Sequence, residues 1–151
     1  MKTVFKEQQM FNQWWLWLIL LGLLGFSCWN LLAQPVMNSS NIVFAVITST
    51  IVLLFAMMKL ITTINTEGIQ IKFIPFVRKY VKWGEVKSAE VVDYGFVGGW
   101  GIRLWTDYGT VYNTSGTKGL KVEMKDGKHF LVGTQKEEEL MEVISELKDE
   151  Q

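Results

Sequence analysis

The sequence predicts a membrane-spanning α-helical hairpin followed by a small α+β domain, a bent antiparallel barrel or sandwich capped by a C-terminal helix. Three observations predict it. Between Glu7 and Lys59 there is no Asp, Glu, Lys, Arg or His, and that stretch holds two apolar runs of spanning length. Beyond Ile61 short alternating runs recur at roughly ten-residue intervals, the spacing of an all-β barrel or sandwich. One amphipathic segment ends the chain.

The whole-chain averages conceal this division. A formal charge of +0 with 49% hydrophobic residues would suit a greasy soluble protein. A membrane segment of about 60 residues leaves roughly 90 for one domain, enough to bury a core. The balanced charge gives no expectation of a nucleic-acid partner, which needs a concentrated basic face. The single cysteine, Cys28, cannot form an internal disulfide and lies inside the first apolar run.

Residues 1–13 are read as a cytoplasmic N-terminal segment. Trp14 to Ala33 gives the first span, because 20 residues at about 1.5 Å each cover roughly 30 Å of hydrocarbon. Residues 34–41, with helix-breaking Pro35, form a polar outer loop. Residues 42–61 give the second span; Thr48, Ser49 and Thr50 can bond back to the helix, and Lys59 can snorkel to the interface. A signal peptide would leave the second run unexplained. A lipoprotein signal is opposed by Phe26 and Trp29 around Cys28. A buried soluble hairpin would need more domain than remains to cover two all-round apolar helices.

Orientation follows from Lys2 and Lys6 before the first span and Lys59, Lys72, Arg78, Lys79 and Lys82 on or after the second, with no basic residue in the loop. The positive-inside rule then puts both termini in the cytoplasm and the protein in the cell's inner (cytoplasmic) membrane. Trp14, Trp15 and Trp17 would form the inner interfacial belt and Trp29 part of the outer one. Small residues Gly22, Gly25, Ala45 and Ser49 permit close helix packing.

Residues 62–151 form the predicted cytoplasmic domain. Residues 63–65 and 69–73 read as strands around Thr66-Glu67-Gly68, with Gly68 supplying positive φ. Residues 78–81, 86–92, 102–105 and 110–113 continue the strand pattern. The clearest hairpin surrounds Lys125-Asp126-Gly127. A two-residue loop would pair Leu120 with Gly133 and Met124 with His129. A three-residue loop with left-handed Gly127 pairs Val122 with Phe130 and Leu120 with Val132. The second register matches apolar with apolar and is preferred. A helix is predicted over 135–148. Thr134 and Glu137 would make its capping box, the acidic first turn and Lys148 suit its dipole, and Leu140, Val143, Ile144 and Leu147 form its apolar stripe.

The order of these pieces resembles the bacterial pleckstrin-homology-like (PH-like) membrane proteins, in which two membrane helices precede a PH-like domain. The likeness covers about residues 10–148. It rests on TTINTEGI directly after the second span, VKWGEV at 81–86, GGWGIR at 98–103, YNTSG at 112–116 and DGKHFLVGTQ at 126–135. The resemblance implies a strongly bent sheet closed by the C-terminal helix, and a non-enzymatic role.

The residues themselves predict no catalytic or metal site and no cofactor. His129 stands alone beside a tight turn, opposite Glu123 in the preferred register, and Glu85, Glu90, Asp93 and Asp107 show no motif spacing. Gly98-Gly99-Trp100-Gly101 lacks the Lys-Ser/Thr of a phosphate loop and precedes a strand, so it reads as a tight turn or bulge. Arg103 on the following strand can pair with a nearby carboxylate. Lys72, Arg78, Lys79 and Lys82 follow the second span closely and can meet anionic headgroups, although positive-inside topology alone would also place them there. They do not complete the basic pattern by which eukaryotic PH domains hold phosphoinositides. Phe76 lies in the proline-broken patch 74–77 and, with Trp100, Trp105 and Phe96, can contribute to a contact surface. The expected function is a non-enzymatic, membrane-anchored interaction module that engages a protein partner or forms a homo-oligomer, with Trp100, Arg103 and Phe76 as contacts. The alternative is sensing of anionic lipid headgroups at the inner leaflet of the bilayer.

Overall fold

The structure, a computed structural model, describes residues 3–34 and 38–149. Lys2 and Pro35, used above for topology and loop, lie outside the described residues. The chain divides into two compact units, Phe11–Met58 and the discontinuous pair Met1–Met10 with Lys59–Gln151.

The unit Phe11–Met58 is an α-helical hairpin. Helix α1 covers Trp14–Ala33 and α2 covers Ser39–Met57. Both are long and apolar enough to cross a membrane. Leu20, Ser27 and Thr48 are their buried residues, and Phe26 meets Phe44 edge to face at 6.4 Å. The Thr48 and Thr50 hydroxyls donate to the carbonyls of Phe44 and Val46 at 2.8 and 2.7 Å, so each is paired within its own helix. The second helix begins three residues before the expected 42 and ends four before the expected 61. Asn38 caps it by accepting from the Ser40 amide at 3.2 Å. At its other end Lys59 already belongs to a strand, so it does not close the helix as a snorkelling residue.

Among the described residues the other unit holds nine strands and a helix. Strands β1 (Thr3–Met10), β2 (Lys59–Asn65), β3 (Gly68–Ile74) and β4 (Val77–Lys82) form one antiparallel sheet in that order. The first correction to the sequence reading is here. Residues 3–10 are an edge strand of the domain, with Lys6 opposite Thr63 and Met10 opposite Lys59. The helical hairpin is therefore inserted between two paired strands. Inward residues Phe5, Leu60, Ile64, Ile69, Ile71, Phe73 and Val81 are almost wholly buried. Gly68 does not take positive φ. Asn65 makes the turn by accepting from the Glu67 and Gly68 amides at 3.0 and 2.8 Å. Glycine is needed because a Cβ there would collide with the Val81 carbonyl oxygen.

A single 3-10 turn, Trp83–Glu85, leads to the second sheet. It contains β5 (Val86–Asp93), β6 (Gly101–Thr106), β7 (Gly109–Asn113), β8 (Lys118–Met124) and β9 (His129–Gly133) in the order β5-β8-β9-β7-β6. Every pair is antiparallel except β7 with β9. The β8–β9 hairpin has Val122 opposite Phe130 and Leu120 opposite Val132, with Gly127 at φ 87°. This is the register chosen by matching apolar with apolar. The two sheets are not closed, so of the expected barrel or sandwich the strands do not build the closed barrel.

Helix α3 covers Glu137–Asp149 and buries Leu140, Val143, Ile144 and Leu147 in the core of this unit. Half of its predicted capping box forms: the Thr134 hydroxyl accepts from the Lys136 amide at 3.0 Å, but Glu137 does not return the bond. The Thr134 amide donates to the Lys118 carbonyl at 2.9 Å. The Thr134 hydroxyl donates to Glu7 Oε2 at 2.6 Å, and the Gln135 amide donates to Glu7 Oε1 at 2.8 Å. Glu137 meets Lys118 at 3.4 Å instead of reaching back. The Lys148 side chain lies outside the described residues.

Candidate functional site

Two surfaces of the domain carry more than packing requires, and a buried polar seam joins the sheets between them. Glu7 and Gln9 alternate with Phe5 on the inward side of β1 and are 5% and 3% exposed. Gln9 donates to the Gly133 carbonyl at 2.7 Å and accepts from Thr114 at 2.9 Å. With the Glu7 bonds to Thr134 and Gln135, these contacts tie the N-terminal strand to the far end of β9. Buried polar groups placed so are costly unless paired, and these are paired.

The first surface is the outward side of the first sheet. Strand alternation sends Lys6, Lys59, Lys72, Arg78 and Lys82 to one face. Lys72 stands directly opposite Arg78. Of the carboxylates nearest in sequence, Glu7 points inward, Glu67 sits in the β2–β3 turn and Glu85 accepts from the Lys82 backbone amide at 3.3 Å. Among the described residues none of the five cations is in an ion pair. The second sheet is unlike this, because Lys87, Lys118 and Lys121 bridge Asp93, Glu90, Glu123 and Glu137 at 3.2–3.8 Å. Sequence spacing grouped Lys72, Arg78, Lys79 and Lys82. The structure keeps three of them and brings in Lys6 and Lys59. Lys79 turns to the opposite side, its Nζ 3.9 Å from the centre of the Phe130 ring, and partial burial lowers its pKa. A signal for the missed pair was present. Seven basic and two acidic residues precede Trp83, whereas eight basic and thirteen acidic follow from it onward.

The second surface surrounds Arg103. Residues 94–100 form a loop over the outer side of the second sheet, where Tyr94, Val111 and Leu131 make a small core with Val92, Val97 and Tyr108. Asn113 fixes the loop by donating to the Tyr94 hydroxyl at 3.1 Å and accepting from the Gly101 amide at 3.0 Å. Burial raises the Tyr94 phenol pKa. Gly98, Gly99 and Gly101 all take positive φ. At Gly99 a Cβ would run into the Arg103 guanidinium, so this glycine lets the loop lie against the arginine. Arg103 makes no ion pair among the described residues, contrary to the expected carboxylate partner, and its buried Nε has no hydrogen bond. Around it Phe96, Leu104 and Trp105 are strongly exposed, and the concavity they share with Tyr108 and Asp107 holds about 600 Å³. Trp105 is 94% exposed and sits at φ 57° where the β6–β7 register shifts. That conformation is unfavourable for a bulky residue. Trp100 packs its ring on Phe96 at 6.0 Å. Phe76 does not join this group; it lies exposed in the turn between β3 and β4.

The remaining predicted residues are placed as follows. Trp14, Trp15 and Trp17 lie in the first turn of α1 and Trp29 in its last turns, with Trp17 Nε1 donating to the Phe11 carbonyl at 2.9 Å. His129 is exposed and opposite Glu123. No group of three or more His, Cys, Asp or Glu able to hold a metal occurs among the described residues. Comparison of the chain with family models, curated proteins and solved structures finds no match.

Proposed function

We propose that this chain is a two-pass protein of the inner (cytoplasmic) membrane, with both termini cytoplasmic, whose PH-like domain is a non-enzymatic module that engages a protein partner. The observation that carries the topology is the pairing of β1 with β2. Strands on either side of the hairpin can pair only if residues 10 and 59 lie on the same side of the bilayer, which requires an even number of crossings. The positive-inside rule then favours the cytoplasm for that side. The PH-like reading is supported by the order of a four-stranded antiparallel sheet, a second sheet and a closing C-terminal helix.

The partner surface is the aromatic rim around Arg103. A water-facing tryptophan held in a disfavoured backbone conformation, beside an arginine whose Nε lacks a bond, is a poor solution for stability alone. Exposed aromatics and arginine are the residue types that dominate protein interfaces. Photo-crosslinking from position 105 in intact cells tests this. A discrete adduct, absent from a probe at Glu142 on the outer face of α3 and lost on Arg103→Gln, is the expected result. Equal yields from both positions, or a strictly monomeric protein without adducts, would refute it. Protease added to right-side-out cells should spare the C-terminal domain, and its digestion would reverse the orientation.

A further inference from the structure

We infer that the outward side of the first sheet is a docking face for the anionic leaflet of the membrane that holds the hairpin. The inference rests on the two-span reading and is independent of the protein partner. It starts from the five cations Lys6, Lys59, Lys72, Arg78 and Lys82, which four strands project to one side without a carboxylate among them. Opposed like charges in a sheet weaken strand pairing, yet Lys72 faces Arg78 directly. The chain has carboxylates to spare and uses them to pair lysines on the second sheet. Positive-inside topology explains how many basic residues follow a span, but it does not sort them onto one face.

The opposite charge is supplied by lipid because of how the sheet is tethered. Only residues 11–13 separate β1 from α1, and only Met58 separates α2 from β2. Lys59 begins its strand at that end, and Lys72 and Arg78 share a row with Ile61, two residues further along. A tether this short keeps the cations within reach of headgroups at high effective concentration, so modest attraction per residue suffices. Each cation near an anionic leaflet favours the docked form roughly fivefold. Neutral Gln8, Thr63, Gln70 and Tyr80 lie on the same side and add hydrogen-bonding groups. The acidic excess of the rest of the chain resides in α3, and repulsion from the same leaflet would bias the domain toward presenting its basic face.

The test uses the full-length chain in lipid nanodiscs, either of neutral phosphatidylcholine or with about 30% phosphatidylglycerol, where each cation should matter most at low salt. A fluorophore is placed at Gln70→Cys in a Cys28→Ser background, with Glu146→Cys on α3 as the control position. Quenching by a headgroup spin-labelled lipid reports docking. Phosphatidylglycerol should raise quenching at position 70 and leave position 146 unchanged, and about 0.5 M salt should abolish the difference. Lys6→Gln, Lys72→Gln and Arg78→Gln combined should lower the docked-to-free ratio roughly a hundredfold. These side chains are on the outer face, and an unchanged urea midpoint verifies that the variant is folded. Equal quenching in both lipids, or insensitivity to salt, would overturn the inference and leave an acidic protein face as the claimant. Failure of the chain to enter discs at all would instead overturn the two-span reading together with this one.

Discussion

Replacing Glu7 by alanine probes the least expected feature of the fold, the incorporation of residues 3–10 into the domain. Glu7 is 5% exposed and accepts from the Thr134 hydroxyl at 2.6 Å and the Gln135 amide at 2.8 Å. Hydrogen bonds to a charged acceptor contribute about 1.5–3 kcal/mol each, and their loss leaves the buried Thr134 hydroxyl and the half-buried Gln135 amide without this acceptor. Alanine should therefore cost about 3–5 kcal/mol, a large fraction of a small domain's stability. Glu7→Gln keeps one carbonyl acceptor without the charge and should cost about half as much. Lys6→Ala, one residue away on the opposite face, should stay within about 0.5 kcal/mol. Urea titration of the full-length chain in mild detergent, followed by pulse proteolysis of the domain, gives all three midpoints. If Glu7→Ala shifts stability no more than Lys6→Ala, β1 is not held by this seam and the discontinuous domain is wrong.

Three further outcomes follow from the same contacts. Gly68→Ala should destabilise by more than 1 kcal/mol because its Cβ meets the Val81 carbonyl, whereas Gly84→Ala, with open space around its Cβ, should change the urea midpoint little. Trp105→Gly should stabilise the isolated chain by about 1 kcal/mol by relieving the left-handed strain, while abolishing adducts from a photo-crosslinker placed at position 96 on the same rim, so stability and partner capture should move in opposite directions. Burial lowers the Lys79 pKa in the folded state below 10.5, so the unfolded chain keeps its proton longer as pH rises; stability from this group therefore increases between the folded value and 10.5. Urea midpoints measured near neutrality and near pH 10 should show that increment in the parent chain and lack it in Lys79→Met, in the direction linkage requires.

The parts of the fold legible in the sequence were those whose signal is local. Helix α1 lies at 14–33 as read, because an uncharged run of that length has few alternatives. The β8–β9 register was legible because only one loop length matches apolar residues across the hairpin. The end of α2 was not, since Leu60 and Ile61 prolong the apolar run into a strand and composition cannot separate the two. Strand β1 was hidden for a different reason. Its inward positions are Phe5, Glu7 and Gln9, so the residues it buries are mostly polar and show no hydrophobic alternation. The Lys118 carbonyl took the Thr134 amide expected for Glu137, and Glu7 took the Thr134 hydroxyl proton from 127 positions away, a distance over which sequence spacing carries no information. The basic face failed as a prediction for the same cause. Lys72, Arg78 and Lys82 are local to one hairpin, but Lys6 and Lys59 join them only once β1 is known to pair with β2.

That pairing also constrains how the protein is made. Strand β1 is synthesised first, yet its partner β2 follows a hairpin of nearly fifty residues, and the seam partners Gly133, Thr134 and Gln135 come close to the end of the chain. In water, closing so long a loop would cost entropy before any contact offset it. Under the proposed two-span topology, a helical pair inserted in lipid would change the problem, because it would return the chain to the side it left and bring Met10 and Lys59 together. The hairpin would then act as a preformed connection for the β1–β2 ladder, and Glu7 and Gln9 would be left to recruit residues 133–135. On that topology the helical pair would be part of the domain's folding nucleus as well as its anchor. The domain should therefore lose β1 from its sheet when the hairpin is deleted, even though none of the core residues of that sheet has been removed.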